Sequence, residues 1–226
     1  LSDGIYLSTN FGTEWFSADN GVTTNNIRSM TTLNGTVFAG TVDAGVFRSS
    51  NNGINWSAVN TGLTGINITA LMNSNNTLYA GTWGSGVFIS SDYGANWSAI
   101  NSGLTNLTIY SLTKNGNSLF AGTFNGGVFL STDNGGSWTQ VNSGLTNLQI
   151  WSMTSDGSNI YAGSLGGGVF LSTNNGLLWN PVNNGLSNLY ITSLKYNSGY
   201  LFAGTNNGLN VSTNSGTAWL SMNQGL

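Results

Sequence analysis

Ser131-Thr132-Asp133-Asn134-Gly135-Gly136-Ser137-Trp138 is the stretch that decides how this chain folds. An Asp or Asn two residues after a Ser can accept hydrogen bonds from the backbone N–H groups of its own turn, and a Gly two residues further on supplies a positive φ. The Trp that follows folds back as an apolar lid. The pattern Ser-x-Asp/Asn-x-Gly-x-x-Trp occurs six times, with its turn residue at Asn10, Asn51, Asp92, Asp133, Asn174 and Asn214. Its indole falls at Trp15, Trp56, Trp97, Trp138, Trp179 and Trp219, spaced 41, 41, 41, 41 and 40 residues apart. A period of this length and regularity marks a repeat architecture.

Working outward from the turn, each unit reads as four short strands separated by turn signals. Around Trp138 they are strand A over 109–113, B over 118–123, C over 127–132 and D over 137–142. In strand C, Val128 and Leu130 alternate with Phe129, so apolar groups lie on both faces, as in a sheet sandwiched between two neighbours. The one proline, Pro181, falls in a strand D, and an edge strand can lose an N–H without breaking a ladder. The expected fold is therefore all-β, a β-propeller of four-stranded antiparallel blades forming a single domain over 1–226. In the repeat frame Leu1 is equivalent to Val42, Trp83, Phe124, Leu165 and Asn206, just after strand B. The frame thus begins in mid-blade and gives five full repeats plus a leading half-blade. That count fits a six-bladed propeller with one incomplete blade, or a five-bladed one with an extra hairpin. A ring of six needs a further A and B pair, from a longer repeat array or by self-association that completes the first blade.

The turn pattern resembles the BNR or Asp-box repeat of sialidases, xyloglucan-degrading enzymes, a photosystem assembly factor and many secreted bacterial repeat proteins. The resemblance covers essentially the whole chain. It implies a propeller whose Asp-boxes join strands C and D at the periphery, opposite the functional face, and an extracellular or cell-surface location in a bacterium. It does not imply an activity, because a fold does not carry its function with it. A sialidase site uses three arginines, a tyrosine nucleophile and a partner glutamate, whereas this chain has two arginines and one glutamate, Glu14, inside an Asp-box turn.

Composition narrows the function classes. Of the 226 residues 39% are hydrophobic and 12% aromatic, too many for a disordered chain, while only 5% are charged. Four cations, Arg28, Arg48, Lys114 and Lys195, cannot build the basic stripe that a nucleic acid requires. The net charge of -3 is too small for long-range steering. No apolar run approaches the roughly 18 residues of a membrane span, and the first residues lack the charged and apolar regions of a signal peptide. With no His and no Cys, the commonest general base and the thiolate ligands are absent, and no metal site or cofactor is expected.

Candidate site residues come from positions that differ between repeats, since a shared scaffold role would keep them alike. One set follows strand B: Leu1, Val42, Trp83, Phe124, Leu165 and Asn206. The other lies early in strand A: Arg28, Thr69, Tyr110, Trp151 and Thr192. Both should border the central channel on the upper face, where Trp83, Tyr110, Phe124 and Trp151, with Arg28, could stack on a sugar or grip a protein side chain. The competing reading is that these rings fill gaps between blades. The uniform connections from D to A, such as Asn142-Ser143-Gly144-Leu145, read as structural turns. Asp92 and Asp133 are explained by their Asp-boxes, and Asp156 and Lys114 by solvated A to B turns. Asp3, Asp19 and Asp43 are left as the acids of an alternative, glycoside hydrolase-like site, for which two carboxyl groups at suitable separation are needed. Arg48 replaces an apolar strand C residue and is expected to extend toward Glu14.

Overall fold

The computed structural model describes residues 4–224 and divides into two compact units, Leu1–Ile100 and Asn101–Leu226. The first unit opens with a two-stranded sheet, β1 (Tyr6–Leu7) and β2 (Phe16–Ser17), which corresponds to strands C and D. Blade I follows as β3 (Ile27–Leu33), β4 (Thr36–Thr41), β5 (Val46–Ser49) and β6 (Ser57–Ala58). Blade II is β7 (Ile68–Ser74), β8 (Thr77–Thr82), β9 (Val87–Ser90) and β10 (Ser98–Ala99).

The second unit holds three blades. Blade III is β11 (Ile109–Asn115), β12 (Ser118–Thr123), β13 (Gly127–Ser131) and β14 (Thr139–Gln140). Blade IV is β15 (Ile150–Ser155), β16 (Ile160–Ser164), β17 (Gly168–Ser172) and β18 (Asn180–Pro181), and blade V is β19 (Ile191–Asn197), β20 (Tyr200–Thr205), β21 (Gly208–Ser212) and β22 (Leu220–Ser221). Every four-stranded sheet runs A-B-C-D as an antiparallel meander, so the architecture is the β-propeller expected from the repeat. No helix among the described residues is long and apolar enough to cross a membrane.

The Asp-box closes as its chemistry requires. Asp133 Oδ1 accepts from the Ser131 hydroxyl at 2.7 Å and from Ser137 N–H at 2.9 Å, while Ser131 Oγ accepts from Gly135 N–H at 2.8 Å. Asn51 does the same through Ser49 and Asn55. Two consecutive residues are left-handed, for example Asn134 (φ 56) and Gly135 (φ 93), and Asn at the first of them tolerates that region better than most side chains do.

The tryptophan is more than a lid on its own turn. The Trp97 indole N–H donates to Val59 O at 2.9 Å, and its backbone N–H to Thr61 O at 2.8 Å, both on blade I. Trp179 bonds Val141 and Ser143 of blade III, and Trp219 bonds Val182 and Asn184 of blade IV, in the same way. Trp97, Trp179 and Trp219 therefore each fasten their blade to the one before it in sequence.

Strand D is two residues long in every sheet, shorter than the six expected over 137–142. The cause is an Asn in the D to A turn that takes over the ladder. Asn142 Oδ1 accepts from Val128 N–H at 2.8 Å while its Nδ2 donates to Gly126 O at 2.9 Å. Asn60, Asn183 and Asn223 make the same pair of bonds. Pro181 lies on the outermost strand of blade IV, opposite Phe170, where its missing N–H interrupts nothing.

Candidate functional site

The end of each blade opposite its Asp-box is built from the B to C turn, the start of strand A and the D to A connection. Gly45 N–H donates to Ile66 O across blades I and II, and Gly127 N–H to Leu148 O across blades III and IV, so turns from adjacent blades meet at this end. Both variable sets identified from the sequence lie here, apart from Leu1, which is outside the described residues.

Strand A carries a β-bulge in every blade. Its register slips between Ile27 and Ser29, Ile68 and Ala70, Ile109 and Ser111, Ile150 and Ser152, and Ile191 and Ser193. The residue in the slip is Arg28, Thr69, Tyr110, Trp151 or Thr192. A bulged residue is released from the ladder and its side chain re-aimed, which is why this position tolerates such different groups. Thr69 and Thr192 use the freedom locally, donating to Gly81 O and Gly204 O. The residues after strand B are tied back beside it: the N–H groups of Val42, Trp83, Phe124 and Leu165 donate to Asn26, Asn67, Thr108 and Gln149.

The aromatic group divides between the units. In the second unit, Tyr110 stacks on Trp151 with ring centroids 4.0 Å apart and meets Phe124 edge-on at 5.8 Å. Tyr110 is 8% exposed, and Trp151 and Phe124 are half-buried. Tyr110 and Trp151 thus spend one ring face on each other across blades III and IV. In the first unit, Trp83 is 48% exposed, and Arg28 is exposed as well.

Sequence comparison between repeats missed further apolar residues at this end, because they are alike from blade to blade. Ile66 and, in the second unit, Leu107, Leu148 and Leu189 sit at one repeat position and are all exposed. Beside Leu189, Tyr190 is 52% exposed and bridges Leu165 of blade IV. A uniform position reads as scaffold, and here it is also surface. The signal that could have found it is the placement of an aliphatic residue in a polar connection.

The acids Asp19 and Asp43 sit in different local settings. Asp19 is the repeat equivalent of Asn60, and its carboxylate lies over Gly4 as Asn60 lies over Gly45. It accepts from the Ser17 hydroxyl at 2.6 Å, so a turn role accounts for it. Asp43 is exposed in a B to C turn, and Asp3 lies outside the described residues. Among the described residues no group of three His, Cys, Asp or Glu is placed to hold a metal ion.

Two other polar residues differ from expectation. Asp156 organises its turn, accepting from Ser158 N–H, Asn159 N–H and the Tyr161 hydroxyl. Burial raises its pKa, but these bonds outweigh burial and hold it below the usual value. Arg48 donates to Tyr93 O at 3.4 Å in the Asp-box of blade II instead of reaching Glu14, which accepts from Asn10.

No family model matches the sequence, and no curated protein matches it. Solved structures match its fold. The extracellular domain of a protein described as a one component system of B. thetaiotaomicron superposes with a TM-score of 0.78 at 19% identity, over 93% of this chain and 30% of that one. An ancestral GH74 enzyme gives 0.70 at 20% identity, over 98% of this chain and 33% of the other. YCF48 bound to D1 peptide gives 0.72 at 14% identity, over 94% and 72%. The chain spans about a third of the length of the first two. With these propellers the Asp-box reading of the sequence stands: the chain has the BNR-like, Asp-box β-propeller fold.

Proposed function

We propose that the chain is a non-catalytic binding or display propeller of an exported bacterial protein, engaging a protein partner or a carbohydrate at the end opposite its Asp-boxes. The observation that carries this reading is Trp83, an indole 48% exposed at a position that varies between repeats. Large rigid aromatics at a surface supply contact area at small entropic cost, whether to a sugar ring or to an apolar side chain. The exposed Ile66 lies on the same blade, and the second unit has exposed apolar residues of its own in Leu148, Leu189 and Tyr190. Structures with this fold include an extracellular domain and a peptide-bound protein, which supports a binding role and an extracellular setting. Within the first unit Arg28 is assigned, with Trp83, to ligand binding, and within the second unit Tyr110, Phe124 and Trp151 are.

A glycan array and a peptide-display selection, run on the same preparation, test the reading. Trp83→Ala should abolish or strongly weaken whichever binding is detected while leaving the melting temperature within a degree or two, because the ring is half outside the core. Trp151→Ala should lower the melting temperature as well. Binding untouched by Trp83→Ala would remove the basis of the proposal. The GH74 likeness keeps a hydrolase alternative using Asp3, Asp19 and Asp43 in play, and xyloglucan turnover lost in Asp43→Asn would favour it.

A further inference from the structure

The two-stranded sheet β1–β2 and blade I enclose an apolar cavity of about 110 Å3, lined by Ile5, Leu7, Met30, Val37, Gly53 and Trp56, among others. The 41-residue frame identifies it. The equivalents of Met30, Val37, Gly53 and Trp56 on blade II are Leu71, Leu78, Gly94 and Trp97, and these surround Phe38 of blade I. On blade IV they are Met153, Ile160, Gly176 and Trp179, surrounding Phe120 of blade III. In both places the central ring is the strand B aromatic of the preceding blade. The cavity therefore has the lining of an aromatic seat.

Exposure at its mouth agrees. Met30 is 48% exposed where Leu71 and Met153 are 9% and 6%, and Ile27 is half-buried where Ile68 and Ile150 are fully buried. Among the described residues β1 pairs only with β2, and its other edge corresponds to the edge of β13 on which β12 lies. An apolar seat thus adjoins a strand edge that can accept a further strand, the arrangement used in recognition by β-augmentation.

We propose that this cavity and the edge of β1 form a docking site for a repeat-type A–B hairpin whose second strand reads aliphatic-aromatic-Ala-Gly-Thr. The interface is continuous in kind with those between the complete blades, which fixes both register and specificity. Phe120 lies opposite Leu130, Ala121 opposite Phe129 and Gly122 opposite Val128. The incoming aromatic accordingly lies opposite Leu7, its Ala opposite Tyr6 and its Gly opposite Ile5. The aromatic ring fills the cavity. The Gly is required because a Cβ on Gly40 or Gly122 would come within 2.5 or 2.7 Å of the following blade's Ile68 or Ile150, and Ile27 takes that place here. This site is independent of the surface around Trp83.

The test uses a synthetic peptide of residues 109–123, fluorescently labelled at its N-terminus and titrated into the protein while anisotropy is followed. Saturable one-to-one binding is expected. The peptide with Phe120→Ala should bind roughly 10-fold or more weakly, because it loses the central anchor. The peptide with Gly122→Val should not bind at all. On the protein side, Met30→Glu should weaken the parent peptide to a similar degree with an unchanged melting temperature, since Met30 is half-exposed. Absence of binding, or equal binding of the Phe120→Ala peptide, overturns the proposal. So does a dimer in light scattering that Met30→Glu converts to monomer and the peptide does not compete, because the occupant would then be a second copy of the chain.

Discussion

Trp15 and Trp97 end the same eight-residue motif within one unit, yet Trp15 is 60% exposed and Trp97 only 4%. The turns themselves match. Asn10 Oδ1 accepts from the Ser8 hydroxyl and Glu14 N–H, as Asp92 Oδ1 accepts from Ser90 and Asn96. What differs is the partner of the indole, which for Trp15 is Gly12 O of its own turn and for Trp97 is Val59 O of blade I. The motif thus has two separable parts: a locally closed turn that forms with or without a neighbour, and a pin that is buried only against a preceding sheet. Stability should follow the second part.

The largest expected effect comes from removing the pin. Trp97→Ala or Trp179→Ala takes away a buried indole and leaves Val59 O or Val141 O without its donor, at a cost of about 3 to 5 kcal/mol. Trp15→Ala should cost about 0.5 kcal/mol or less, as exposed substitutions do. Urea unfolding of the variants measures the difference, and equal losses would show that the indole acts through its own turn after all.

A smaller effect separates backbone conformation from contact between blades. Gly144 has φ +88, and a Cβ there would lie 2.1 Å from Trp179 O on the next blade. Gly84 has φ +91, but a Cβ would meet nothing within 4 Å. Gly84→Ala should therefore cost only the left-handed penalty, roughly 1 to 2 kcal/mol. Gly144→Ala adds the forced shift of a neighbouring backbone and should cost about 2 to 4 kcal/mol. Thermal unfolding of the two variants side by side would show whether the gap lies between the blades.

These contrasts also show which parts were legible in the sequence. The turn is local chemistry, so Ser, Asp or Asn, Gly and Trp at fixed offsets were enough to place it and to set the four-strand period. The Asn142 clamp was visible only as a uniform turn, because its partners Val128 and Gly126 lie 14 and 16 residues away and side-chain bonds of that kind leave no periodic trace. Variability did find the bulge at Arg28, Thr69, Tyr110, Trp151 and Thr192, although the bulge itself needs a register to be seen. It could not say which rings face each other. Tyr110 and Trp151 stack because blades III and IV set their bulges side by side, a tertiary fact, whereas Trp83 remains half-exposed. Uniform apolar positions such as Leu148 and Leu189 were passed over for the opposite reason, since likeness between repeats reads as scaffold even where the side chain reaches the surface.

The smallest effect concerns the turn alone and is read through pH. Hydrogen bonds from the Asn96 amide, Asn96 N–H and Ser90 lower the pKa of Asp92 from 3.8 to about 2, and bonds from Ser131 and Ser137 lower that of Asp133 to the same value. A carboxyl group whose pKa is depressed in the folded state binds protons more readily when unfolded. The stability it confers is therefore complete above the unfolded pKa and is lost as pH falls from about 4 toward 2. Because both groups are at the surface, the loss should be modest and should shrink further with added salt. The other four turns carry Asn at the same position and titrate nothing there. The double variant Asp92→Asn, Asp133→Asn should thus keep its neutral-pH melting temperature and show a shallower fall between pH 4 and pH 2. An unchanged acid slope would mean that the turn oxygen is held equally well protonated, and that the charge on Asp92 and Asp133 contributes nothing beyond the geometry that Asn already provides.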